Sequence, residues 1–334
     1  MKRHRFLSIV ISSTVIGFLL SIITISLTTF AQPGGVVTFR AGTWKTAQTI
    51  APFFYDQFLP KGSSVKVFTF TNPGDQKTAL LAGSLDITGT TIVLAITAAS
   101  KGEPIVVVTA LCDKCSALVV RKGGGICKPA DLNGKKIGYV PGTMHDVLLR
   151  ETLIKAGLDP ARDVKLVRID FFDMGQALAN GNIDAFLSGE PFPTIAVLQG
   201  YGEVLAYPYY DDSIGPINAG MIVTRDLIAK QRDLIQAMVT AHARATEYLT
   251  KQPDVWLKRA EEFGNRPEVL RESARNIALT WKLDEDYIRR ARTLGQRMQS
   301  LGMIDRQPDY EKLFDLSFVR QARRELAKDY NPAK

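Results

Sequence analysis

Two phrases of this chain repeat one another about a hundred residues apart: Ala79-Leu80-Leu81-Ala82-Gly83-Ser84-Leu85-Asp86 and Ala177-Leu178-Ala179-Asn180-Gly181-Asn182-Ile183-Asp184. Each follows a β-like run that opens alike, Val65-Lys66-Val67 and Val164-Lys165-Leu166, and each lies downstream of a strand ending in a Gly-Thr turn, Gly42-Thr43 and Gly142-Thr143. Two half-molecules built to one plan of strand, turn, helix, strand and short helix imply two similar α/β lobes with a cleft between them. Such a cleft holds a small ligand.

The first copy reads as strand 37–40, helix 46–59 with Thr46 as N-cap, strand 65–70, a short helix from Asn72-Pro73-Gly74-Asp75 to Gly83, strand 85–87, and a helix opened by Gly89-Thr90-Thr91 that runs to about residue 100. The apolar runs 105–108 and 117–121 have the composition of buried central strands. The second copy gives strands 136–140, 164–169, 183–187 and 204–207 with helices 144–156, 174–180 and 194–198 between them. Residues 219–224 then read as a strand returning to the first lobe beside the outgoing 117–121, so that two crossing segments form a hinge. Everything after Arg225 is helical in pattern, with Leu227, Ile228, Leu234, Ile235, Met238 and Val239 on one apolar face. The fold class is α/β of the two-lobe type, with parallel-rich sheets flanked by helices. Lobe one takes residues 36–124 and 215–334, and lobe two residues 125–214.

Residues 1–31 stand apart. Lys2, Arg3, His4 and Arg5 precede an apolar run over 6–30, and Thr29-Phe30-Ala31 offers small residues where a signal peptidase cuts. Export with cleavage after Ala31 is expected; the run is also long enough for an uncleaved anchor. The first cysteine is Cys112, far from the cut, so no lipid anchor is expected. Three of the 42 Lys and Arg and none of the 34 Asp and Glu lie in this segment, which leaves the remainder at +5. Those charges are interspersed along helices, as in Lys258-Arg259-Ala260-Glu261-Glu262, which reads as a solvated face rather than a nucleic-acid patch, and no nucleic-acid partner is expected. Three cysteines leave one thiol over in any pairing. Cys112 and Cys115 are candidates for a disulfide, with free thiols the alternative and metal only weakly signalled, because a single CxxC lacks companion ligands.

In parallel α/β sheets ligands sit off the carboxyl ends of the strands. The turns there carry Thr43, Trp44, Asp75, Thr90, Thr91, Thr143, His145 and Glu190, with Asn218 at the returning strand. Glycine, threonine hydroxyls and helix N-termini suit an oxyanion, whereas Asp75, Asp113, Asp146 and Glu190 would welcome a cation or amine. Trp44 is either a lid on a small ligand or a core anchor. His145 is either a ligand donor or a solvent-facing first-turn residue, and His242, inside a C-terminal helix, reads as structural. No nucleophile elbow, Walker A motif or HExxH is present, so neither catalysis nor a cofactor is expected.

The phrases Gly83-Ser84-Leu85-Asp86-Ile87, Ala130-Asp131-Leu132-Asn133-Gly134-Lys135-Lys136-Ile137-Gly138, Gly181-Asn182-Ile183-Asp184-Ala185 and Glu190-Pro191-Phe192 together resemble the nitrate/sulfonate/taurine solute-binding proteins of ABC importers, a family that shares its fold with thiamine-pyrimidine synthases. The resemblance spans about residues 38–319 and implies a monomeric periplasmic binding protein. Such a protein delivers a small-molecule solute to a membrane permease with its cytoplasmic ATPase. By analogy the contacts fall at Thr43, Trp44, Thr90, Thr91, Thr143, His145 and Glu190. A sulfonate or other oxyanion is the leading ligand, and a nitrogen-rich cation or amide, guanidinium- or urea-like, is the alternative. The synthase branch resembles a protein with a cysteine-rich iron motif, for which this chain has only Cys112-Asp113-Lys114-Cys115.

Overall fold

A computed structural model describes residues 37–211 and 215–329; the expected signal segment, 1–31, lies outside them. Two sheets carry the architecture. The first has six strands: β1 (Val37–Trp44), β2 (Ser63–Phe70), β3 (Ile87–Thr91), β4 (Ile105–Lys114), β10 (Ile217–Thr224) and β11 (Ile277–Leu279), in the order β11-β4-β10-β3-β1-β2. The second has five: β5 (Ser116–Arg121), β6 (Lys136–Tyr139), β7 (Lys165–Arg168), β8 (Ala185–Gly189) and β9 (Gly202–Ala206), in the order β7-β6-β8-β5-β9. β1 pairs in parallel with both β2 and β3, and β6 with both β7 and β8. The repeated plan of the sequence is thus two parallel β-β-β cores. In the first sheet β10 runs antiparallel between β3 and β4, and in the second β5 runs antiparallel between β8 and β9.

Helices α1 (Pro73–Leu81), α2 (Ile92–Ser100), α3 (Met144–Lys155), α4 (Phe171–Ala179) and α5 (Phe192–Leu198) follow strand ends. The remainder, α6 (Arg225–Lys230), α7 (Arg232–Lys251), α8 (Pro253–Glu261), α9 (Pro267–Ala274), α10 (Glu285–Ser300), α11 (Tyr310–Leu313) and α12 (Ser317–Asp329), forms the helical C-terminal region. Along α7 the buried positions Ile235, Met238, Val239, His242, Thr246 and Leu249 recur at three- and four-residue spacing, as a helix face against a core requires. His242 is satisfied there: Nε2 donates to the Ala110 carbonyl at 2.8 Å, leaving Nδ1 to accept from the Tyr55 hydroxyl at 2.9 Å. Among the described residues no helix is long and apolar enough to cross a membrane.

Five expectations are corrected. The helix expected over 46–59 is a pair of 3-10 turns, Ala47–Thr49 and Ala51–Gln57. Thr46 does not cap the first of them, since its hydroxyl bonds that of Thr49 at 2.9 Å. β3 extends through Thr91, so Gly89 and Thr90 lie in the strand and α2 starts at Ile92. β10 returns beside β4, not beside 117–121, which belongs to the second sheet as β5. The C-terminal region also contributes the short strand β11 on the outer side of β4.

The outgoing crossing is therefore one residue long. Lys114 ends β4 and Ser116 starts β5, and Lys114 and Cys115 take φ of 60° and 78°. Two consecutive non-glycine residues in the left-handed region are costly and persist only where surroundings hold them. Here the Lys114 N–H donates to Pro216 O at 2.7 Å and the Cys115 N–H to Asn276 O at 2.8 Å. The Cys115 carbonyl accepts from Glu190 N at 2.7 Å. The crossing is pinned from both lobes.

Candidate functional site

The carboxyl ends of the parallel strands of both sheets converge on a cavity of about 70 Å³. The first sheet and its turns supply Trp44 at the end of β1, Gln48 and Thr49 from the first 3-10 turn, Thr91, Cys112 and Asn218. Cys115 of the crossing, His145 in the first turn of α3, Phe171 and Phe172 at the start of α4, and Ser188, Gly189, Glu190 and Phe192 close it from the other side.

Strand alternation selects among the expected contacts, because of two adjacent strand residues only one faces a given side. Trp44 faces the cavity, so Thr43 does not; Thr43 is fully buried and its hydroxyl donates to Thr49 O at 2.7 Å. Thr91 faces the cavity and Thr90 lies in the sheet core. Thr143 also falls away from the lining, since it caps α3 by accepting from Asp146 N at 3.4 Å and donates to Val140 O at 2.8 Å. Asp75 is exposed in the first turn of α1. Trp44, Thr91, His145, Glu190, Asn218 and both cysteines come together. Gln48, Ser188 and the aromatic pair Phe171 and Phe172 were not anticipated, whereas Phe192 belongs to the expected Glu190-Pro191-Phe192 turn; two phenylalanines just before position 174 are the one signal that could have flagged the pair.

Small residues make the room. A side chain at Gly89 would bring Cβ to 2.8 Å from Leu111 Cδ2 and 3.3 Å from Trp44 Cζ3, so glycine lets the indole lie against β3. At Gly189 it would sit 3.3 Å from the His145 ring and 3.4 Å from Cys115 Sγ. Edge-to-face contacts fix the aromatic wall: His145 on Phe171 and Phe172 on Phe192, each with centroids 5.1 Å apart. Phe172 is half exposed at the rim.

The two lobes touch through Glu190. Gln48 Nε2 donates to its backbone carbonyl at 2.7 Å, and Asn276 Nδ2, from the turn after α9, donates to Oε1 at 3.1 Å. Oε2 accepts from Thr194 N at 3.3 Å in the first turn of α5. Trp256 holds the Gln48 segment by donating Nε1–H to Ala47 O at 2.7 Å.

Electrostatically the cavity contains no Lys or Arg among its described lining residues. Burial raises the Glu190 carboxyl above its usual range, against the opposing bonds from Thr194 and Asn276. Burial lowers His145 to about 4, which keeps the ring neutral, with Nδ1 bonded to Ser116 Oγ at 2.9 Å. Cys112 and Cys115, expected as a disulfide, are free thiols. Asn218 Nδ2 lies 3.0 Å from Cys115 Sγ and 3.8 Å from Cys112 Sγ. The hydrogen bond with Cys115, then burial, pushes the Cys112 thiol well up. The wall is thus neutral or acceptor-rich, aromatic on one side and thiol-lined at the crossing.

Comparison with known proteins gives this arrangement a lineage. A binding protein of Brucella abortus (strain 2308) is 28% identical over 223 residues, 65% of this chain and 67% of the relative. The 4-amino-5-hydroxymethyl-2-methylpyrimidine phosphate synthase of Schizosaccharomyces pombe is 26% identical over 226 residues, 63% of this chain and 64% of the relative. Among solved structures, the periplasmic aliphatic sulphonate binding protein SsuA of Escherichia coli superposes with a TM-score of 0.71 at 21% identity, covering 83% of this chain and 91% of that one. The periplasmic nitrate-binding protein NrtA of Synechocystis PCC 6803 superposes at 0.72 and 17% identity, covering 90% and 92%. These likenesses establish the shared two-lobe periplasmic-binding fold. The NMT1/THI5-like family matches residues 57–255, more than half of the sequence, and the chain belongs to that family.

Proposed function

We propose that this chain is the extracytoplasmic solute-binding component of an ABC importer. It closes two lobes on a small solute and presents it to a membrane permease driven by a cytoplasmic ATPase. One observation carries the reading: the walls of a single small cavity come from two sheets, and Gln48, Asn276 and Glu190 hydrogen-bond across them. Contacts drawn from both lobes favour the closed state by differential affinity, which is how a capture protein converts binding into a shape its permease can read. The leader-like residues 1–31 fit export, and Gln32 as the first residue of the secreted protein, read by mass spectrometry, would support cleavage.

The chemistry of the wall supports binding over turnover. Nucleophilic cysteine catalysis needs a thiolate with a base beside it. Here the Cys112 thiol is pushed up, and burial makes His145 a weak base, lowered to about 4, with Nδ1 engaged by Ser116. The oxyanion reading draws its support from relatives named for sulfonates and nitrate. Each helix N-terminus that would serve it already gives one N–H to the chain itself: Gly74 N to Asn72 at 2.7 Å, Leu94 N to Thr91 at 3.3 Å, Asp146 N to Thr143, and Thr194 N to Glu190. Small-angle scattering tests capture itself. The radius of gyration should fall when a bound solute saturates the protein, and an unchanged radius or consumption of the solute by the pure protein would overturn the proposal.

A further inference from the structure

We infer that the solute is a small planar nitrogen compound that donates hydrogen bonds, an amidinium, guanidinium or amide, received by Gln48, Asn218 and Glu190. The inference rests on the capture reading and concerns only what is captured.

Two residues that line the cavity, Gln48 and Asn218, carry amide oxygens, Oε1 and Oδ1, that are buried without a hydrogen-bond partner. Their orientation is fixed from the other end. Gln48 Nε2 donates to the Glu190 carbonyl at 2.7 Å and Asn218 Nδ2 to the Lys114 carbonyl at 3.0 Å. A carbonyl can only accept, so neither amide can flip without setting oxygen against oxygen. Both groups are at least nine-tenths buried, as is Ser188, whose hydroxyl at the same wall also lacks a partner. Glu190 adds a carboxyl group, whose Oε1 accepts from Asn276 Nδ2 and Oε2 from Thr194 N.

Buried acceptors without donors cost free energy until something supplies the hydrogens. A sulfonate or nitrate group supplies none and would oppose these oxygens with its own, with no Lys or Arg in the described lining to offset the repulsion. A planar NH-bearing group supplies several in one plane. Trp44 and the phenylalanine wall offer faces on which such a plane stacks, more strongly if it is cationic.

The test is calorimetric titration of the purified full chain against two arms, kept at submillimolar concentration so that guanidinium does not denature. One arm holds guanidinium, acetamidinium, urea and acetamide; the other holds ethanesulfonate, methanesulfonate and nitrate. At least one member of the first arm should bind, with the second arm about a hundredfold weaker or more, as expected for a site whose acceptors a wrong ligand leaves unpaired. Glu190→Gln, which keeps shape and removes charge, should weaken a cationic binder about tenfold or more and leave a neutral amide little changed. Binding of the sulfonates or nitrate at equal or greater affinity would overturn the inference and leave capture standing. No response in either arm would overturn both. The wild-type panel decides even where the variant does not fold.

Discussion

The two histidines of the described chain should resist protonation, and the resistance can be measured ring by ring. His145 and His242 are buried and neutral, each lowered by burial from the ordinary 6.5 to about 4. The unfolded chain protonates near 6.5 and the folded chain does not, so the unfolded state binds more protons as the pH falls. Stability is therefore full above 6.5 and is lost as the pH drops through about 4. At about 1.4 kcal/mol per pH unit, the displacement is worth about 3 kcal/mol for each ring. Asp113, raised by burial to about 7, acts with the opposite sign and makes the protein gain stability on acidification below that value. The whole-protein curve thus mixes the two effects, and a paired comparison separates them. In urea unfolding, the stability gap between wild type and His145→Asn should shrink by about 3 kcal/mol between pH 7 and pH 4. Imidazole proton resonances, assigned with the same variant, should both titrate near 4. A His145 midpoint near 6.5 would mean that water reaches the ring in the ligand-free protein, which would refute the closed cavity while leaving His242 as the internal reference.

Trp44 lines the cavity and also packs against the core around Gly89. Trp44→Ala should cost about 1–3 kcal/mol of solute affinity; a loss of about 3–5 kcal/mol of apo stability with affinity unchanged would make it a core anchor alone. Thiol titration of the folded protein should find Cys127, which is exposed, reacting fast and Cys112 and Cys115 slowly, with three thiols reacting after unfolding without reductant. A total of one would show that Cys112 and Cys115 are paired.

The repeat gave away the architecture because each copy needs the same sheet-and-helix cover to bury its apolar strands. Glu190, His145 and Asn218 were legible for the same reason: each lies where a strand or turn of the repeated plan meets the cleft. What was not legible depended on register. Thr43 and Trp44 are equivalent as sequence, as are Thr90 and Thr91, and only the pairing of β1 and β3 decides which of each pair faces the cavity. Gln48 was hidden inside an apolar, proline-containing stretch that folds as 3-10 turns held by Trp256 from far along the chain. Asn276 precedes a three-residue strand too short for any periodicity to show. The mispaired return strand has the same origin, since 105–114 and 117–121 are both apolar β runs and nothing local says which one β10 joins.

The one-residue crossing at Cys115 has a kinetic corollary. If the lobes swing about that point, each contact moves in proportion to its lever arm. Cys112, Cys115 and Asn218, beside the axis, keep nearly fixed positions whether the mouth is open or shut, whereas Phe172 at the rim is carried furthest. An arriving molecule is then inspected first by a preformed floor and sealed in afterwards by a moving wall. Changes near the axis should alter which encounters succeed, and changes at the rim should alter residence time, so selectivity and retention are mechanically separated along the depth of one small cavity.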